Sequence, residues 1–443
     1  MTNLVWYKYT DLRTLDHLPL INAHANALIN DSKVIHVFCI DDRFFGKTKN
    51  YGFTIFDKYK VKFLYQSLIY LYDKIKLNIY FGRPEDIIIN LVEKYNIKQI
   101  YHYSDILKDE IAISNSIEEK LIDKVEWKTF WGNTMFHKDD FDEIFPENFL
   151  DFKLLLCNKN IKPIEIVNKY SGIIFEDNDS HKKIQDALLG QHNFETIFNG
   201  GENNAWKRLH FYFFETKDLS NYSPGNYSCK ISPYLAFGNI SAKSIFWELK
   251  KYEQIIESNF STYSMWIELL WRDFFKFLLL RKGSKFFSLG GSLCNTCSIV
   301  WRQNNDETIT MYKKWKDGCT GYPIIDANMM EIKNTGYMSN KGREIVANFL
   351  VNVLNIDWRI GAEYFESILI DHDVASNYGN WNLIINNISR KEEAYKNPCI
   401  VDPDCKYIKK WLPQLEDENP SDIYNCTLKN YIKPMITIKQ KPL

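Results

Sequence analysis

The 443-residue sequence predicts two kinds of architecture in one chain, α/β followed by all-α. Three observations carry this. Up to residue 130, short runs rich in Val, Ile, Phe and Tyr alternate with long helical patterns, the signature of a parallel sheet with helical crossovers. From 131 to 199 the periodicity loosens into polar stretches such as His137–Glu143 and Glu176–Lys183. From residue 200 on, apolar positions recur at helical spacing. The expected domains are therefore residues 1–130 (α/β), 131–199 (a connector with some helix) and 200–443 (all-helical).

Leu4–Tyr7, Val34–Ile40, Asn78–Phe81 and Gln99–Tyr103 read as the strands. Thr54–Lys76 reads as a helix, with Phe56, Tyr59, Phe63 and Leu64 at i, i+3, i+7 and i+8. Neither G-x-G-x-x-G nor a P-loop occurs in this part. Ser264–Leu280 is apolar almost all round, as in a buried helix. Glu344–Leu354 carries two adjacent stripes, Ile345/Phe349/Val353 and Val346/Leu350/Leu354.

Hydrophobic residues make up 45% and charged residues 25%, which excludes a mostly disordered chain. The net charge is -1, so a nucleic-acid surface has to be a local patch. No apolar run reaches the ~20 residues that span a bilayer. Lys8 and Asp11 interrupt the N-terminal apolar stretch, unlike a signal or transit peptide. The expectation is a soluble intracellular protein with no targeting sequence. Its 9 Cys are scattered, and the Cys294/Cys297 pair has no second pair at matching spacing, Cys319 being the nearest extra thiol; no metal site is expected.

Charges that interrupt apolar helices mark candidate chemistry. Glu268 and Arg272 stand four apart on one face, with Trp271 one turn from Glu268. A structural Glu–Arg pair is the alternative to a working carboxyl. Asn340 precedes a helix and reads, at its simplest, as an N-cap. Lys341 and Arg343 in the first turn oppose the helix dipole, so they call for an anion, a carboxylate or a ligand phosphate. Asp371-His372-Asp373 ends an amphipathic helix, where carboxylates need partners; Arg343 is a natural one for Asp371. His372 alone reads as a packed or surface histidine, and Trp301, Trp358 and Trp381 as core residues.

Taken together, Glu268-Leu-Leu-Trp271-Arg272, Thr320-Gly-Tyr-Pro-Ile-Ile-Asp-Ala-Asn328, Thr335-Gly-Tyr-Met-Ser-Asn340, Ile356-Asp-Trp358-Arg and Asp371-His-Asp-Val-Ala-Ser-Asn377-Tyr-Gly-Asn-Trp381 resemble the photolyase/cryptochrome family. Asp326-Ala-Asn-Met, Met338-Ser-Asn-Lys-Gly-Arg343, Ser376-Asn-Tyr-Gly-Asn-Trp381, Phe130-Trp-Gly-Asn-Thr-Met-Phe-His137 and Gly200-Gly-Glu202 are most similar to its DASH-type cryptochromes.

The resemblance spans nearly the whole chain. It implies a Rossmann-like α/β antenna domain and a helical domain binding FAD. The implied activity is deoxyribodipyrimidine photo-lyase: electron transfer from photoexcited reduced FAD splits cyclobutane pyrimidine dimers in UV-damaged DNA, with a preference for single strands. A monomer with no membrane partner is implied. The FAD contacts would be Tyr222, Ser228, Cys229, Lys230, Ile231 and Ser232 near the phosphates. The further FAD contacts would be Arg272, Asn340, Arg343, Asp371, His372, Asp373 and Asn377, with Asp371 and Asp373 beside the ring and ribose and Asn377 facing the flavin N5. Glu268, Trp271 and Asn340 match the lesion-contacting catalytic residues, with Glu268, Trp271, Arg272 and Lys341 on DNA. Trp381, Trp358 and Trp301 match the tryptophans that reduce the flavin in light. Glu110 lies where folate-binding members carry a Glu, so a 5,10-methenyltetrahydrofolate antenna stays open.

Some positions depart from the family. The loop between Tyr222 and Ser228 is shorter and lacks an arginine. Cys229 stands in place of Thr or Ser, Lys341 in place of an arginine, and Leu383 in place of an aromatic. Asp306–Thr310 look inserted, which bears on Trp301. Arg281-Lys282 and Arg390-Lys391 are further cationic candidates for DNA. A blue-light photoreceptor without repair is the competing reading; the short tail after Leu415 favours the enzyme. Repair of the (6-4) photoproduct would require histidines in Ser339–Glu344, and the segment has none.

Overall fold

The computed structural model describes residues 2–141, 145–156, 159–166, 172–173, 181–189, 195–215, 229–292, 300–386 and 398–436. They form two compact units. The first draws on Met1–Gly46, Thr54–Asn221 and Cys229–Gly283, the second on Lys47–Phe53 and Ser284–Leu443.

In the first unit, β1 (Thr2–Tyr7), α1 (Leu18–Ile29), β2 (Lys33–Ile40), α2 (Lys58–Ile75), β3 (Leu77–Phe81), α3 (Pro84–Tyr95), β4 (Ile97–Tyr103), α4 (Lys108–Lys120) and β5 (Glu126–Phe130) alternate. The strands make a parallel sheet in the order β3-β2-β1-β4-β5. Val5 of β1 stands opposite His36 of β2 and Tyr101 of β4. Leu4, Trp6, Ile35, Val37, Ile88, Leu91 and Ile100 form part of a buried core beside the sheet. The four expected strands are present. β5 was not expected because Glu-Trp-Lys-Thr-Phe is an edge strand with its side chains exposed or half-buried, so it carries no apolar run. α2 begins at Lys58 rather than Thr54, after Asp57 at the N-cap position.

The unit continues with α5 (Phe149–Leu155), α6 (His181–Leu189), α7 (Glu202–His210), α8 (Ser232–Ala236), α9 (Ala242–Ile255) and α10 (Phe260–Lys282). Buried Glu202 accepts hydrogen bonds from Thr14 N (3.1 Å), Thr14 Oγ1 (2.8 Å) and Leu15 N (2.8 Å), tying α7 to the turn after β1. Gly238 has φ 65°, and a Cβ there would lie 1.9 Å from the Thr10 carbonyl oxygen, so only glycine permits the approach. Asn259 caps α10, accepting from Ser261 N and Thr262 N. Asp273 of α10 is fully buried and accepts from Met135 N at 2.7 Å. Desolvation pushes its carboxyl up to about 7, against the opposing charge of Arg272.

The second unit holds α11 (Asp306–Lys316), α12 (Pro323–Thr335), α13 (Asn340–Asn348), α14 (Trp358–Ile368), α15 (Val374–Asn386), α16 (Lys406–Trp411) and α17 (Pro420–Asn425). Buried Asp326 binds Thr320 N and Oγ1, both at 2.7 Å, and Gly321 N at 3.0 Å, which closes the turn before α12. The helix expected over Glu344–Leu354 is α13 followed by a π-helical turn, Phe349–Val353. The Val346 carbonyl there accepts the Trp315 indole N–H at 2.9 Å, an insertion of the kind that opens the backbone ladder. No described helix is long and apolar enough to cross a membrane.

Among the described residues of the first unit four histidines are buried: His17, His24, His36 and His102. His36 Nδ1 lies 2.7 Å from the Ile75 carbonyl oxygen and so carries the proton; its Nε2 then accepts from His24 Nε2 at 3.0 Å. Desolvation lowers all four, His24 to about 4 and His36 and His102 to about 3. The unfolded chain takes up protons near pH 6.5 while the folded chain does not. Stability is therefore full above ~6.5 and falls as pH drops, by up to about 1.4 kcal/mol per pH unit for each histidine. Asp273, Glu268 and Asp326, all raised by burial, oppose this, three groups against four. Thermal unfolding should show a Tm that declines steadily between pH 6.5 and 5; a flat or rising Tm would contradict the neutral histidine cluster.

Candidate functional site

In the second unit the site forms around α13, the turn before α15, and α15 itself. Ser339 caps α13, its hydroxyl accepting from Gly342 N at 3.1 Å, so Asn340 is the first helical residue and not the N-cap. That leaves the exposed amide of Asn340 outside any capping role. Arg343 Nη2 donates to Asp371 Oδ1 and Oδ2 at 2.9 and 2.7 Å, and Arg343 Nε donates to the Met338 carbonyl at 2.9 Å. The Asp371 side chain is 2% exposed and that of Arg343 25%. Desolvation pulls the guanidinium down, but the charge of Asp371 and its other neighbours outweighs this and the pKa ends raised.

The sequence reading put both carboxylates at a helix C-terminus. Instead α14 ends at Ile368, and Asp373 accepts from Ser376 N at 2.8 Å in the first turn of α15, where a carboxylate favours the dipole. Asn377 Nδ2 donates to the Ala362 carbonyl at 3.0 Å. His372 is half-buried in the same turn. Lys341 reaches Glu344 at 3.4 Å. Leu383 is half-buried on α15.

Trp381 on α15 and Trp358 at the start of α14 are buried. The Phe365 ring stands 5.4 Å from Trp381, and the Tyr378 ring 6.0 Å from Trp358. The Trp358 indole N–H donates to the Leu289 carbonyl at 3.0 Å. Trp301 is half-buried before α11 and makes no ring contact among the described residues. Gly361 is the residue that sequence reasoning passed over. A Cβ on it would lie 2.4 Å from Trp381 Cη2 and 2.7 Å from Leu350 Cδ2. A glycine inside a helical pattern was the available signal.

The first unit positions the other candidates. The Glu268–Arg272 pair is not formed: Arg272 Nη1 donates to the Asn133 carbonyl at 2.9 Å and lies 3.5 Å from Asp273. Glu268 is exposed and has no ion pair among the described residues, yet the loss of hydration beside dense protein raises its pKa. Trp271, half-buried, stacks on Phe149 with ring centroids 3.7 Å apart. Lys230 adopts a left-handed backbone (φ 51°) just before α8, Ile231 is buried, and Ser232 opens α8 with Pro233 behind it. Arg208 Nε donates to the Cys229 carbonyl at 2.7 Å, and burial pushes the Cys229 thiol up to about 12. Arg281 and Lys282 both pair with Glu147. Glu110 lines a crevice with Trp6, Tyr9, Phe44, Asp105 and Ser114. That crevice lies past the C-terminal ends of β1, β2 and β4, where the strand order reverses, the usual ligand position in such sheets. Tyr222, Ser228, Cys294, Cys297, Arg390 and Lys391 lie outside the described residues.

Two family models match the chain: DNA photolyase over residues 3–153, and the FAD binding domain of DNA photolyase over residues 265–441. A Synechocystis protein called cryptochrome DASH is 34% identical, over 94% of this chain and 88% of its own. A cryptochrome DASH of Danio rerio is 33% identical, over 95% and 85%. The crystal structure of a Synechocystis cryptochrome superposes with a TM-score of 0.84 at 32% identity, covering 98% and 96%. An archaeal photolyase from Sulfolobus tokodaii, solved with two FAD molecules, gives 0.80 at 26% identity, covering 99% and 96%. The chain belongs to the photolyase/cryptochrome family, among relatives named cryptochrome DASH, and carries that family's FAD-binding domain.

Alanine is a better helix former than glycine by about 1 kcal/mol, so Gly361→Ala would stabilise α14 if space allowed. The 2.4 Å approach to Trp381 predicts the reverse, a net loss of roughly 1–3 kcal/mol from overpacking. Urea unfolding measures it, and an unchanged or raised midpoint would contradict the packing.

Proposed function

We propose that this protein is a light-driven DNA repair flavoenzyme, a deoxyribodipyrimidine photo-lyase acting on cyclobutane pyrimidine dimers. The observation that carries the proposal is Glu268: an exposed carboxyl with a raised pKa and no ion pair among the described residues, on a mostly buried helix, one turn from Trp271. In its protonated form the Glu268 carboxyl can donate a hydrogen bond to a carbonyl of the lesion. Trp271 offers an aromatic surface to the damaged bases. A dimer has to leave the stack to reach such residues, which is easiest in single-stranded or locally opened DNA. Arg272 and Lys341 would contact the DNA backbone.

The donor set of the second unit fits FAD. It combines a guanidinium fixed by a carboxylate, the half-buried carboxylate of Asp373 and the amides of Asn377 and Asn340. Arg343, Asp371, His372, Asp373, Asn377 and Asn340 would hold the ring and ribose. Tyr222, Ser228, Cys229, Lys230, Ile231, Ser232 and Arg272 would hold the rest. Bound reduced FAD would lend the light-driven electron that opens the cyclobutane ring, and the electron would return to it once the ring has split. Trp381, Trp358 and Trp301 would keep it reduced. The crevice at Glu110 would take an antenna chromophore, a folate being the candidate. In this reading residues 1–130 serve light collection and residues 200–443 the flavin.

The test compares the parent with Glu268→Ala, both chemically reduced and illuminated with blue light on a dimer-containing single-stranded oligonucleotide. A hydrogen bond between neutral groups is worth about 0.5–1.5 kcal/mol, so dimer affinity should fall roughly 2–13-fold while FAD content stays constant. Unaltered binding and repair by Glu268→Ala would return Glu268 to the surface. A parent that binds FAD but repairs nothing would point to a photoreceptor.

A further inference from the structure

Trp271 and Phe149 lie face to face, their ring centroids 3.7 Å apart and their planes within 4°. Aromatic pairs in proteins prefer offset or edge-on arrangements with centroids 4.5–7 Å apart, because parallel faces carry like quadrupole charge. A near-eclipsed pair therefore requires that both rings be held from behind. Phe149 is the first residue of α5, and the Asn148 side chain caps that helix, accepting from Asp151 N at 2.9 Å. Phe152, one turn on, is fully buried among Phe141, Phe145, Phe274 and Phe277. Trp271 is held by its own helix, with Phe274 edge-on at 5.6 Å and Phe275 at 5.4 Å. Asp273 and Arg272 add a second tether to the same connector, through Met135 N and the Asn133 carbonyl. The connector thus places one phenyl ring flat against an indole that stays half-exposed.

We infer that Phe149 is a positioning residue for lesion recognition: it fixes the plane in which Trp271 meets the damaged bases. The inference rests on the proposed lesion role of Trp271. A backed indole keeps one orientation, and a base stacking on it does not have to order it first, which is where a rigid aromatic anchor gains affinity. Phe149 would act on dimer binding through Trp271 alone, without touching flavin or DNA.

The test measures affinity for a dimer-containing single-stranded oligonucleotide and for the same undamaged strand. The proteins are the FAD-bound parent, Phe149→Leu, Phe149→Tyr, Trp271→Ala and the double variant Phe149→Leu/Trp271→Ala. Phe149→Leu removes the flat ring and keeps an apolar side chain; Phe149→Met serves if the Leu variant loses FAD. Aromatic pairing energies predict a roughly 3–10-fold loss of dimer affinity, with undamaged-strand affinity and FAD content unchanged. Phe149→Tyr should restore parental discrimination. In the Trp271→Ala background, Phe149→Leu should cost nothing further. Parental discrimination in Phe149→Leu, or additive losses in the double variant, would overturn the inference while leaving the repair function standing. Parental discrimination in Trp271→Ala would overturn the lesion role of Trp271, and this inference with it.

Discussion

The forked contact between Arg343 and Asp371 fixes the second unit's site. Each residue is costly alone: a cation in the first turn of a helix, and a carboxylate with almost no access to water. Paired, they join α13 to the turn that launches α15. From that turn Asp373 caps α15, and along α15 follow Asn377 and Trp381. Gly361 of α14 supplies the space into which the Trp381 indole packs. One ion pair and one missing methyl group thus decide where an amide, a carboxylate and an indole stand relative to one another.

The first unit uses a different device. Its sheet and α10 are linked by the segment between β5 and α5, which lays phenyl rings along one side of α10 and sends two backbone N–H groups to buried Asp273. Arg272, drawn to the Asn133 carbonyl, leaves Glu268 without the cation its spacing suggested. A carboxyl freed in this way is suited to binding, and its environment raises its pKa.

The legible parts of the sequence were those where local pattern and tertiary environment agree. Four strands read correctly because each is a short run rich in Val, Ile, Phe and Tyr, while β5 at the sheet edge is not. The partnership of Arg343 and Asp371 could be foreseen because each violated a local rule that the other repairs. The Asn340 cap was misplaced by one residue, since Ser339 and Asn340 are both good caps and only the backbone decides. Asp373 was assigned to the wrong helix end because the break after Ile368 leaves no Gly or Pro in the sequence. The fate of Arg272 depends on a carbonyl 139 residues away, and the stacking of Phe149 on Trp271 on a contact of similar span; neither leaves a local trace.

The central claim is that the Arg343–Asp371 pair organises a flavin site, and Asp371→Ala tests it most directly. Removing one partner of a buried pair costs about 3–5 kcal/mol and strands the guanidinium. The measurement is the flavin absorbance of the purified variant relative to its protein absorbance, with far-UV circular dichroism to verify folding. The account predicts a folded protein that has lost most or all of its FAD. A folded variant with a full complement of FAD and the parental flavin spectrum would contradict it.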